Sequence, residues 1–450
     1  MKSKIILVIK KKVVILHHQK RQKMEVGIPY KKRIADKMLK EQLEAAGVVL
    51  IEGSKWCGKT TTAENMANSV LYMDHPQKKS EYMIMAENNP ELLFEGEEPR
   101  LLDEWQIAPQ LWDTARFLAD RRKGTGHFIF TGSAVPADSN KISHTGTGRF
   151  GWVTMRPMSL WESEESNGSI SMLELFAGQI KPAIAPDVSL EEIAYLLCRG
   201  GWPGSLGLKR QAALKQARNY VDAVCKRDIS RVDNVERDAA FALRLLRSYS
   251  RHQGGQVPIS QIQADLAAGG EKTMTEETVS SYVSVLKKIF VIEDMPAWNP
   301  NLRSKTAIRT SDTRYFVDPS IAAAALGLGP KDLMNDLNTF GLLFETMAVR
   351  DLRVYAEALD GEVFHYRDKN GLECDAVVHL RNGSYGLIEI KIGGETLIEE
   401  GATSLKKLAE KIDTTKMKAP SFLMVLTAVG GYAYQRKDGV LVIPIECLKD

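Results

Sequence analysis

The stretch Val48-Val49-Leu50-Ile51-Glu52-Gly53-Ser54-Lys55-Trp56-Cys57-Gly58-Lys59-Thr60-Thr61 constrains the fold more than any other part of the chain. An apolar strand runs into a Gly-x-x-x-x-Gly-Lys-Thr loop, and a helix-compatible run follows as far as Val70. Gly53 and Gly58 let the main chain turn its N–H groups inward around a polyphosphate, and the following helix presents its positive end to the same anion. The predicted cradle is therefore Gly53, Ser54, Lys55, Trp56, Cys57, Gly58, Lys59, Thr60 and Thr61. Lys59 would reach the β and γ phosphates, and Thr60 would offer its hydroxyl to a magnesium ion. Any glycine turn before a helix looks similar over so short a stretch; the neighbouring sequence separates the two cases.

That context is a second strand, Arg100-Leu101-Leu102-Asp103-Glu104, which ends in two acids. Asp103 is placed to hold magnesium through water, and Glu104 to orient and deprotonate an attacking water. A third apolar strand, from His127 to Ser133, ends in hydroxyls, which makes Thr131 the candidate sensor of the γ phosphate. The glycine-rich run His144 to Phe150 delivers Arg149, a candidate arginine finger acting on a neighbouring subunit, hence in a homo-oligomer. The expected ligands are ATP and magnesium.

A chain of 450 residues is too long for one core and predicts two to four domains. With 60 basic against 57 acidic residues the net charge is +3, so any nucleic-acid surface must be a local patch and not a global field. The five cysteines are scattered without metal-ligand spacing and read as reduced thiols, which points to a cytoplasmic protein. Residues 1–23 carry a lysine run, no acid and only short apolar runs, so neither export nor a membrane span is expected. Met24 is expected to be the true start, with the preceding segment unstructured; a natural protein whose mass begins at Met1 would refute that.

Gly53-Ser-Lys-Trp-Cys-Gly-Lys-Thr, Asp103-Glu-Trp-Gln, Thr131-Gly-Ser, Gly148-Arg149 and Arg156-Pro-Met-Ser-Leu-Trp-Glu162 occur in that order. The set resembles bacterial and archaeal AAA-type ATPases of the AAA_14 kind, which carry a C-terminal domain of unknown function, number 4143. The match covers nearly everything after Met24, and no motif position departs from the pattern. The resemblance implies ATP bound by Gly58, Lys59 and Thr60 and hydrolysed with Asp103 and Glu104.

The expected fold is α/β multidomain: a P-loop ATPase domain over 24–165, a helical lid or linker over 186–240, a winged-helix-like domain over 241–320, and a nuclease-like domain over 330–450. Ser163 to Pro186 reads as a boundary, and Ser189 to Glu192 as a capping box. In the third domain the order predicted is helix, short strand, helix, helix, two strands. Its last helix, opened by a capping box at Thr273 and Glu276, would read DNA, with Arg303, Lys305 and Arg309 in the wing.

In the last domain Glu345 lies on a predicted helix, Asp375 on one strand, and Glu389 and Lys391 project from one face of the next strand. A Glu-x-Lys pair suits any solvated sheet face, but this order resembles the PD-(D/E)XK nuclease fold. There the carboxylates hold magnesium and the lysine orients water. Glu373 is an alternate ligand, and the following helix offers only Lys406 and Lys407 where a glutamine is usual. The predicted function is magnesium-dependent ATP hydrolysis, coupled to DNA or RNA binding or cleavage. The alternative is a nucleotide-controlled switch whose C-terminal half is an inactive module docking a protein partner.

Overall fold

The computed structural model describes residues 29–132, 147–233, 235–268, 274–300 and 311–450. Contacts divide the chain into residues 1–32 and 33–450. In the first unit residues 29–32 form no helix or strand, and residues 1–23 lie outside the described residues.

The apolar runs of the N-terminal third form a parallel sheet. Helix α1 (Ile34–Ala45) precedes β1 (Val48–Gly53), and the glycine loop leads into α2 (Lys59–Met66). Then come β2 (Ser69–Tyr72), α3 (Lys79–Asn88), β3 (Arg100–Asp103), α4 (Leu111–Arg121), β4 (Phe128–Gly132) and β5 (Phe150–Met155). The order across the sheet is β2-β3-β4-β1-β5, and every pairing is parallel. Val49, Ile51, Leu101 and Ile129 pack with Leu39 and Ala63 on one face; Val48, Leu50, Leu102, Phe128 and Phe130 pack with Trp105 and Trp112 on the other. Burial on both faces is why these strands read as unbroken apolar runs. Because they are parallel, the carboxyl ends of β1, β3 and β4 emerge at one edge, where open α/β sheets bind ligands.

The stretch expected as a boundary is structured. It holds β6 (Ile170–Ser171), α5 (Met172–Phe176) and β7 (Ala183–Ile184), and both strands pair with the far end of the chain. Two-residue strands are too short to show any periodicity.

Next come α6 (Leu190–Arg199), capped by the Ser189 hydroxyl accepting from Glu192 N at 3.3 Å, and α7 (Arg210–Ala223), which runs into a π-helical turn at Val224–Asp228. Helices α8 (Ala239–Arg251), α9 (Ile259–Ala267) and α10 (Glu276–Lys288) follow. The short strand expected between α8 and α9 does not form. Gly254 and Gly255 turn the chain there, with Gly254 N donating to Arg314 O (3.1 Å) and Arg314 N to Gly255 O (3.0 Å). The cap of α10 is Thr275, whose hydroxyl accepts from Thr278 N at 3.3 Å; Thr273 lies outside the described residues, as do Arg303, Lys305 and Arg309. The two strands expected after α10 reduce to the bridges Ile292 with Phe316 and Met295 with Thr313.

The rest comprises α11 (Pro319–Leu326), α12 (Pro330–Asn335), α13 (Leu337–Glu357), β8 (Gly361–Arg367), β9 (Glu373–Leu380), β10 (Tyr385–Lys391), α14 (Glu395–Lys411), β11 (Phe422–Thr427), β12 (Tyr432–Gln435), β13 (Leu441–Pro444) and β14 (Leu448–Lys449). A mixed sheet runs β7-β12-β13-β11-β10-β9-β8, and β14 pairs separately with β6. One continuous apolar cluster joins residues of α6, α8, α10 and α13 to the inner face of this sheet, so the middle and C-terminal regions share a core. Leu405 and Leu408 of α14 cover the other face with Leu387 and Val425.

Between β13 and β14, Glu446 is buried with neither carboxylate oxygen hydrogen-bonded among the described residues, and burial pushes its carboxyl up to about 8. Unfolded, the group titrates near 4.5. Between those values the unfolded chain releases a proton that the folded chain keeps, so stability falls as pH rises, by at most about 1.4 kcal/mol per unit. Urea unfolding of Glu446→Gln should match the parent near pH 4 and show the variant increasingly more stable toward pH 8. Parallel curves at every pH would contradict this.

Candidate nucleotide site

Strand β1 ends at Gly53 (φ 143°), where a β-carbon would meet Met155 O at 1.9 Å, so only glycine lets β1 and β5 approach this closely. Gly58 (φ 103°) turns the chain into α2. Between them the loop is pinned from behind. The buried Arg33 guanidinium donates to Cys57 O at 2.7 Å and pairs with Glu162 at 2.9 Å, and the Cys57 thiol donates to Met155 O at 3.4 Å. This gives Glu162, the last residue of the Arg156 motif, its part in the site.

The functional groups meet at the carboxyl edge. Lys59 Nζ donates to the loop carbonyls of Gly53 (2.9 Å) and Ser54 (2.8 Å). Asp103 Oδ1 accepts from the Thr60 hydroxyl at 2.8 Å and also from the Thr131 hydroxyl, which the β3–β4 register places opposite it. Thr131 thus bonds a carboxylate in this state. Burial raises the Asp103 carboxyl, against the two hydroxyls, which lower it. Glu104, the next residue, adopts φ 54°; burial and then the charge of Asp103 raise its carboxyl, and the Gln106 amide donates to one of its oxygens. The Ser54 hydroxyl is buried without a partner among the described residues.

Lys59, Thr60, Asp103, Glu104 and Thr131 line a cleft of about 660 Å³, together with residues to which the sequence assigned no chemistry: Trp202, Pro203, Gly204, Ser205 and Gln216. Lys55, in the loop itself, donates to Asp228 Oδ1 at 2.5 Å, on the π-helical turn that ends α7. π turns inside helices recur at functional sites. The run Gly200-Gly201-Trp202-Pro203-Gly204 was the available signal. Arg149 is not part of this cluster. It precedes β5 beside Val48, at the end of β1 away from the loop, where it pairs with Asp120 at 2.6 Å.

The C-terminal acids also meet. Lys391 Nζ stands 2.6 Å from Glu389 and 3.2 Å from Asp375, and Asp375 Oδ2 accepts from Ile390 N at 2.7 Å. Glu345, on α13, accepts from the Tyr315 hydroxyl. Burial, followed by the charge of Asp375, raises both Glu345 and Glu389. Burial alone would lower Lys391, but the two carboxylates outweigh it and raise it. Glu373 pairs instead with Arg367 at 3.0 Å. Among the described residues no three His, Cys, Asp or Glu side chains are placed around one metal ion, and no helix is long and apolar enough to cross a membrane.

Residues 45–164 match an AAA domain (AAA_14), 190–332 a domain of unknown function (DUF8612), and 340–448 another (DUF4143). Two uncharacterised proteins, of Mycobacterium tuberculosis and Mycobacterium bovis, are each 22% identical over 425 residues, 92% of this chain and 84% of theirs. Among solved structures, a Walker-type ATPase of Pyrococcus abyssi is 17% identical over 65% of this chain and 94% of its own, at a TM-score of 0.39. The Aeropyrum pernix Orc1 protein in complex with DNA is 13% identical over 67% and 94%, at 0.26.

Lys391 is the sole counter-charge contacting Glu389 among the described residues. Lys391→Met should cost about 3 kcal/mol or more at pH 9, where Glu389 is driven to ionise with no ammonium beside it. The loss should shrink at pH 5, where Glu389 takes up a proton. Chemical denaturation at the two pH values measures it; an equal cost at both would contradict the assignment.

Proposed function

We propose, from the AAA domain at residues 45–164, that this chain binds ATP with magnesium and hydrolyses it. The observation that carries the reading is the convergence of the glycine loop, Lys59, Thr60, Asp103, Glu104 and Thr131 at one sheet edge. A hydroxyl beside a carboxylate is the oxygen donor set magnesium takes when shared with phosphates and water. Magnesium would be held by Thr60 and, through water, by Asp103, and supplies neutralisation of phosphate charge when bound.

Lys59 exchanges its two loop carbonyls for phosphate oxygens, and the N–H groups of Ser54 through Thr61 face the same anion. Glu104, made more basic by burial and held by Gln106, orients a water and takes its proton as the water oxygen bonds the terminal phosphorus and the bond to the ADP oxygen breaks. Thr131, on Asp103 beforehand, is positioned to turn toward the terminal phosphate. Arg149, remote from its own chain's loop, would act in a neighbouring copy of a homo-oligomer.

The regions proposed are the ATPase over 24–165, a helical lid over 186–240, a winged-helix-like part over 241–320 and a nuclease-like part over 330–450. The Lys55–Asp228 pair supports a nucleotide-dependent movement of the lid, since incoming phosphates compete with Asp228 for Lys55.

A second reading, cleavage of DNA or RNA, draws support from the Glu345, Asp375, Glu389 and Lys391 cluster. The Lys391 ammonium stands between the two strand carboxylates, so a metal does not fit the present arrangement, and no step is derived through one. Incubation with DNA and RNA in magnesium decides: cutting that disappears in Glu389→Ala favours cleavage, while no cutting by the parent favours a docking module.

For the primary reading, Lys59→Ala should abolish ATP turnover. Glu104→Gln should still bind ATP but turn it over about 100 to 10,000 times more slowly. A Lys59→Ala protein with parental turnover would sink the assignment.

A further inference from the structure

Trp56 sits in the phosphate loop with φ 66°, a left-handed conformation that penalises any residue with a β-carbon and that glycine adopts freely. A loop needing only its main-chain N–H groups here would be better served by glycine. The bulk is not used to fill a core either, since Trp56 remains 51% exposed. Its ring meets Tyr220 of α7 at 5.9 Å and 59°, and Tyr220 in turn meets the buried Trp202 at 4.4 Å. The indole is thus braced on one side by the lid and open on the other.

The cleft that begins at Lys59 and Asp103 continues past Trp56 to Pro203 and Gln216. Gln216 lies one helical turn before Tyr220, on the same side of α7. It is half-buried, and its side-chain amide makes no hydrogen bond among the described residues. An aromatic plate beside an amide, just beyond a phosphate cradle, suits a planar heterocycle: base stacking on an aromatic side chain is sequence-tolerant, and the amide adds the choice of base. An amide offers a donor next to an acceptor, which complements the N6 donor and N7 acceptor of adenine, whereas guanine presents two acceptors at the same edge.

We propose that the nucleobase of the bound nucleotide stacks on Trp56 and that Gln216 selects adenine over guanine. This rests on the ATP reading above, and tripolyphosphate, which has no base, separates the two. The test is calorimetric binding of tripolyphosphate, ATP and GTP, each with magnesium, to the full chain and to Trp56→Gly, Trp56→Phe and Gln216→Ala.

In Trp56→Gly the ratio of ATP to tripolyphosphate affinity should fall at least about tenfold. Trp56→Phe should recover most of it, and Gln216→Ala should bring ATP and GTP affinities together. Trp56→Gly should melt no lower than the parent, because glycine is at ease in the left-handed conformation. An unchanged ratio in Trp56→Gly, with tripolyphosphate still bound, would overturn this inference and spare the ATP reading. A parent protein that binds neither ligand would overturn both.

Discussion

Arg156 leaves the last strand of the parallel sheet and pairs with two carboxylates from elsewhere in the chain, Glu293 beyond α10 at 2.7 Å and Glu357 at the end of α13 at 2.5 Å. Burial works against charging these groups, yet Arg156 and Arg353 hold Glu293 down at about 2. One step further on, Leu160 N donates to Asp351 at 3.0 Å, and the buried Arg350 spans Asp351 and Asp318 at 2.8 Å each. Charges taken out of water are tolerable only when every partner is in place, so such a network has one arrangement. The sheet edge, the segment after α10 and α13 are tied together by these pairs. Gly201 belongs to the same junction, through Met158 N donating to its carbonyl and its own N–H donating to Asp318.

That junction gives the phosphate loop its surroundings. Arg33 and Glu162 brace the loop from the side of the Arg156 motif, and Lys55 reaches across to Asp228. The loop is thus in contact both with the element that positions it and with the π-helical turn after α7. A ligand that draws Lys55 away changes a contact of that loop that is partly open to solvent, since the Lys55 side chain is 40% exposed and Arg33 4%.

What could be read from the sequence was what is local. Gly53 to Thr61, Asp103, Glu104 and Thr131 stand at strand ends whose apolar runs announce a parallel sheet, and the sheet alone suffices to bring them together. The C-terminal acids were legible for a similar reason: alternation along β10 puts Glu389 and Lys391 on one side, and β9 is its neighbour. The other half of the cleft was not legible. Trp202 and Gln216 arrive from about 150 residues away, Trp202 on the turn between α6 and α7 and Gln216 on α7, whose apolar stripe looks like that of any packed helix, and no local pattern shows that Asp228 will meet Lys55. The same holds for the Arg156 motif, recognisable as a motif but with partners more than 130 residues distant. The expected winged-helix strands are reduced to bridges, with Glu293 N donating to Tyr315 O and Val317 N to Val291 O across the pair while Arg314 exchanges bonds with Gly254 and Gly255 on its other side.

The short strands β6 and β7 also decide how the molecule can be taken apart. β7 borders β12 at the rim of the seven-stranded sheet, with Tyr432 opposite Ile184, and β6 is the partner of β14. A recombinant fragment begun at residue 190 or 340, where the family matches start, would retain β12 and β14 but lack both of their companions. Bare strand rims recruit one another. A soluble C-terminal fragment therefore has to start upstream of Ile170, inside what looks like a spacer, and clumping of a shorter one would reflect the cut rather than any native habit of self-association.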